Sequence, residues 1–115
     1  MARYSETYTI AAPFAKTAAG CRHALLTNRW KVMRDDGWAF FARDRRDLVG
    51  ALMSYPVKVA IFVREIEDSP DSQVELHSST FGFGPIPRMR LKSKTEQLHR
   101  EIDEAMRVVV VEDDD

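Results

Sequence analysis

The chain has 115 residues, 44% of them hydrophobic and 30% charged, with a formal net charge of −1. That length suits one domain with its own core, and the near-neutral charge excludes a global basic field drawing the whole chain onto nucleic acid or anionic membrane. One cysteine, Cys21, leaves no intramolecular disulfide, and no apolar stretch approaches the ~20 residues of a membrane span, so a cytoplasmic location is expected.

In chain order, residues 4–11 alternate, with Tyr4, Tyr8 and Ile10 on one side and Ser5, Thr7 and Thr9 on the other. A period of two marks a half-buried strand. Ala12-Pro13 breaks it, and proline suits the first turn of a helix, which the pattern predicts over residues 13–27. Phe14, Ala18, Cys21 and Leu25 form its apolar stripe, which makes Cys21 a small buried hydrophobe rather than a reactive thiol.

Residues 30–34 and 38–43 read as a hairpin closed at Asp36-Gly37, a pair suited to the positive φ of a tight turn. Residues 57–66 carry β-branched Val57, Val59, Ile61 and Val63; a polar turn at 67–72 leads to a further strand at 74–81. Between the hairpin and these strands, residues 48–55 read as an irregular edge or a loop folded over the core, since Pro56 cannot donate a ladder hydrogen bond. Residues 82–87 read as a rigid extended connector. The longest helix follows at 89–108, with Leu91, Thr95, Leu98, Ile102, Ala105 and Met106 on one stripe. Together these elements predict a single α+β domain over residues 1–110, with an acidic disordered tail at 111–115. The domain is one antiparallel sheet in the order β-α-β-β-β-β-α, with a short and a long helix packed on one face.

Thr9-Ile10-Ala11-Ala12-Pro13-Phe14, with Phe83-Gly84-Pro85 leading into the last helix, resembles the pattern of the helix-grip group (START, Bet v 1 and polyketide-cyclase-like domains). The element order is also similar to one half of a TATA-binding-protein-like domain. The helix-grip resemblance implies a curved sheet holding the long helix and an apolar small molecule or lipid between them. The pattern is shorter than that group's norm by a second N-terminal helix and a pair of strands, the parts that widen the ligand cavity.

Residues that could carry chemistry are scattered. His23, His77 and His99 fall on three different elements, with no Cys or carboxylate at metal-ligand spacing. Ser78-Ser79-Thr80 is a nucleophile candidate by residue type only, and strand hydroxyls ordinarily make cross-strand pairs. Asp35-Asp36 suits turn chemistry, and Asp44 and Asp47 balance Arg43, Arg45 and Arg46. Gly82 and Gly84 match no phosphate-loop spacing. No cofactor is implied, and the residues favour a binding or protein-interaction module over an enzyme.

Two surfaces stand out. Arg88, Arg90, Lys92 and Lys94 alternate at the start of the last helix, where the macrodipole prefers carboxylates. One reading is an anion site for phosphate, nucleic acid or an acidic partner; the other is an extended segment with Met89 and Leu91 inward and the cations solvated. The second surface is the far side of the sheet. If Trp38, Phe40, Val57, Val59, Ile61, Val74 and Leu76 face the helices, then Met33, Phe41, Phe62 and Phe81 face away, with Lys31, Arg43, Lys58, Arg64 and Glu75 among them. Aromatic residues on an outer face imply a cover: a second copy in a homodimer, a protein partner, a ligand, or residues 48–55 of the same chain.

Overall fold

In the computed structural model, residues 1–45, 56–82 and 84–108 are described. The alternation at the N-terminus gives β1 (Ala2–Ile10), whose odd-numbered residues are exposed and even-numbered ones half-buried or buried. It is followed by α1 (Phe14–Thr27), β2 (Trp30–Asp35), β3 (Ala39–Asp44), β4 (Lys58–Glu65), β5 (Ser72–Thr80) and α2 (Pro85–Val108). The element order is the one the periodicities predict. All pairings are antiparallel, in the spatial order β1-β5-β4-β3-β2, so β1 closes onto the last strand and the two edges are β1 and β2.

Both helices pack on the same face, which we call the inner face. Val57, Ile61, Val63, Val74 and Leu76 from the sheet side meet Leu25, Leu91, Leu98 and Ile102 from the helices in one contiguous buried cluster. The stripe foreseen on the last helix is the buried one, with Thr95 included and Met106 half-buried. Thr95 is accommodated because its hydroxyl donates to the Leu91 carbonyl at 2.7 Å and meets the Ser78 hydroxyl at 2.8 Å. Cys21 is fully buried, and burial pushes its thiol up to about 12, which makes it inert in the native fold.

Three details depart from the sequence reading. The last helix begins at Pro85, so Pro85, Ile86 and Pro87 are helical rather than part of an extended connector. A proline loses nothing in the first turn, where the missing N–H would have no intrahelical partner. Trp38 does not face the helices: it is half exposed, and its ring centroid lies 5.8 Å from that of Phe62 on the outer face. It sits beside Gly37, whose φ of 85° turns the chain, and β3 starts only at Ala39, so strand alternation does not govern its side chain. The β2–β3 register shifts between Val32 and Arg34, leaving Met33 unpaired in a bulge. Residues 48–55, Asp47 and the tail at 111–115 lie outside the described residues.

Candidate ligand-binding face

Antiparallel register converts scattered sequence positions into rows of neighbours across the strands. On the outer face one row runs Arg3, Ser79, Lys58, Arg43, Lys31, one residue from each of the five strands. The next runs Ser5, His77, Ala60, Phe41, Arg34, and the third Thr7, Glu75, Phe62, Ala39. A groove of about 590 Å³ crosses the first two rows, lined by Met1, Arg3, Ser5, Met33, Phe41, Arg43, Lys58, His77 and Ser79 among others.

The first row is electrostatically unusual. Lys58 faces Arg43, and Arg43 faces Lys31, in directly opposed positions. Like charges there destabilise a sheet, by up to ~1 kcal/mol a pair. Among the described residues Arg3, Lys31, Arg43 and Lys58 have no ion-paired carboxylate, whereas Arg34 holds Asp36 at 2.9 Å and Arg64 holds Glu75 at 3.0 Å. The row therefore sets cations side by side with no acid among the described residues to offset them.

The second and third rows supply rings and an oriented imidazole. Phe41 and Phe62 meet edge to face with centroids 5.9 Å apart, and the Arg34 guanidinium lies 5.7 Å from the Phe41 centroid. His77 touches Phe62 edge to face at 5.6 Å. Its Nδ1 is 2.9 Å from Ser5 Oγ and its Nε2 3.4 Å from Glu75 Oε1, so a hydrogen-bonded string holds the ring at the groove. Sequence reasoning named His77 but missed Ser5 and Arg3. Their partners lie more than seventy residues away across the β1–β5 pairing, and only the register brings them together.

Of the four outer-face candidates, Phe41 and Phe62 are half-buried side by side, Met33 is exposed at the groove in the bulge, and Phe81 is exposed just past the end of β5. The helix at Arg88–Lys94 lies on the opposite, inner face, where α2 packs on β1 and β5, so those cations and the Phe41–Phe62 pair do not share a surface. Helical geometry also divides the four cations into two pairs. Arg90 and Lys94 turn to the buried Asp44, at 3.6 and 3.9 Å from Oδ2, while its Oδ1 accepts from the Val57 amide at 2.9 Å. Arg88 and Lys92 line a hollow of about 210 Å³ with Tyr4, Pro85 and Met89. Burial, followed by the Glu6 carboxylate, raises the pKa of the Tyr4 phenol there. Among the described residues no group of three His, Cys, Asp or Glu side chains is placed to hold a metal ion, and no helix is long and apolar enough to cross a membrane.

No protein-family model matches the chain, and no curated protein matches its sequence. Solved structures do share its fold. Protein CV1439 from Chromobacterium violaceum superposes with a TM-score of 0.59 at 11% identity, over 90% of this chain and 96% of that one. DR_A0006 from Deinococcus radiodurans gives 0.51 at 12% identity, over 88% and 96% of the two chains. Ara h 8.0201, of the Bet v 1 type, gives 0.50 at 11% identity, over 93% and 98%. At such identities the likeness is one of fold, and it agrees with the helix-grip arrangement.

Proposed function

We propose that this chain is a ligand-binding domain whose binding surface is the outer face of the sheet, and that its ligand combines negative charge with an apolar or aromatic part. The observation that carries this reading is the row of Arg3, Lys58 and Arg43, which line the groove with Phe41, continued by Lys31 on the edge strand beyond it. Opposed like charges cost the sheet stability, and a bound anion turns that cost into attraction. The inner face is a poorer place for an apolar ligand, because the sheet and α2 already fill it with mutually packed, buried side chains. A second copy stacked face to face is a poor occupant of the outer side: it would bring two sets of Arg3, Lys31, Arg34, Arg43 and Lys58 into one interface, with Glu75 as the only acid in the three rows.

Anilinonaphthalene sulfonate, an anion carrying fused rings, is a suitable probe of this surface. Its fluorescence should rise on the native protein, and amide shift changes should map to β3, β4 and β5. The double variant Arg43→Gln/Lys58→Gln should lose most of the effect, while Arg88→Gln/Lys92→Gln should keep it. Shift changes confined to α1 and α2, or a signal indifferent to Arg43 and Lys58, would place binding elsewhere.

A further inference from the structure

We infer that the natural ligand of this face is a single-stranded nucleic acid, an inference that rests on the outer face being the binding surface. The cationic row crosses four inter-strand spacings of ~4.8 Å, about 19 Å in all. One phosphate or carboxylate group can engage one or two of those cations. A polymer with an anion at every repeat can engage the whole row, and the Ser79 hydroxyl within it donates as readily to a phosphate oxygen.

The rings run beside the cations. Phe41 stands in the adjacent row and Phe62 in the one beyond, and Trp38 continues the strip 5.8 Å from Phe62. A band of cations flanked by a band of aromatic residues is what a single strand needs, its backbone tracking the charges while unpaired bases stack on the rings. The Arg34 guanidinium against Phe41 adds a second planar, cationic stacking surface. A duplex hides the faces of its bases and would use the cations alone. An anionic membrane fits less well, because Phe41 and Phe62 are half-buried in the sheet surface rather than projecting as wedges. Ser5, His77 and Glu75, polar and hydrogen-bonded, interrupt the apolar strip, and Glu75 would face the headgroups. The chain's net charge of −1 places the attraction on this face and not on the molecule as a whole.

The test is fluorescence anisotropy of a labelled oligothymidylate of roughly ten nucleotides, titrated with the full chain at increasing salt. Engagement of three or four phosphates predicts a log–log salt slope of about −2 to −3, and Arg43→Gln/Lys58→Gln should reduce its magnitude by about 1.4. Phe41→Ala should weaken binding roughly tenfold and leave the slope unchanged, since it removes stacking and not charge. Circular dichroism melts of each variant establish that the fold persists. Inorganic polyphosphate and phosphatidylserine vesicles are the comparison probes and should compete poorly. If either binds as tightly as the oligonucleotide, or if Phe41→Ala has no effect, the nucleic-acid assignment falls. If the oligonucleotide fails while anilinonaphthalene sulfonate still binds through Arg43 and Lys58, the face remains a binding surface and only its ligand is wrong. Failure of both probes removes both readings.

Discussion

At the scale of single residues, the chain separates side chains that hold the fold from those that cost it something. Arg22 on α1 reaches Asp35 at the end of β2, with Nε to Oδ2 at 2.6 Å, and Asp35 Oδ1 also accepts from the Gly37 amide at 2.9 Å. The Arg22 hydrogen bond, outweighing partial burial, holds the Asp35 carboxyl below its ordinary value. A carboxyl with a lowered folded pKa contributes stability that is fully present above its unfolded value of ~3.9 and is lost as pH falls through the folded one. Urea midpoints should therefore separate wild type from Asp35→Asn by a constant amount above about pH 5, and the gap should close below about pH 4. Both side chains are well exposed, so the difference will be small; a gap that persists unchanged at pH 2 to 3 would rule out this pair as its origin. Cys21 could be assigned from its helical spacing, because burial follows from the stripe. Ser5 could not, because nothing local to Ser5 announces His77.

At the scale of elements, α1 and α2 cross closely at Gly20. Glycine within a helix costs about 1 kcal/mol against alanine, and here the reason for it is tertiary. A Cβ at Gly20 would fall onto the Met106 sulfur. Gly20→Val should lower stability by up to about 1 kcal/mol, because the flexible, half-buried Met106 side chain can swing partly aside, and Met106→Ala in that background should recover part of the loss. Thermal melts of the two single variants and the double variant measure this coupling; strictly additive losses would mean that the helices do not meet there. The same scale explains which boundaries were legible. Period and breakers locate β1, α1 and the buried stripe of α2. The start of α2 escaped because prolines read as a connector until the helix is seen to place them in its first turn. The bulge at Met33 escaped because register is a property of two strands and not of one.

At the scale of the molecule, the main hydrophobic core lies on one side of the sheet and the row of directly opposed cations on the other. That division predicts opposite responses to substitution. Leu98→Ala, in the centre of the inner core, should cost about 2–5 kcal/mol in denaturant unfolding. Lys58→Gln, on the outer row, should leave stability unchanged or raise it by up to ~1 kcal/mol, since it relieves its opposition to Arg43. A stability gain in Lys58→Gln would support the proposal that the row serves a ligand and not the fold. A loss of more than about 1 kcal/mol in Lys58→Gln would instead make the row part of the fold's own support.

The amino-acid sequence by itself determined the α+β class, the order of elements and most of the core. Those follow from periods of two and 3.6 residues and from local breakers, all carried by near neighbours in the chain. It also marked Phe41 and Phe62 as out of place on an outer face. Strand alternation put Lys31, Arg43 and Lys58 on that face as well; only the tertiary structure decided that they fall in one row with Arg3 and that the Arg88–Lys94 cations do not join them. Arg88 and its neighbours go with α2 to the inner side, Arg90 and Lys94 turning to Asp44, while Arg3, Lys58, Arg43 and Lys31 line up beside the rings. The physical reason is register: an antiparallel ladder sets residues far apart in sequence at ~5 Å from one another, and no pattern within a single strand encodes which partner that will be.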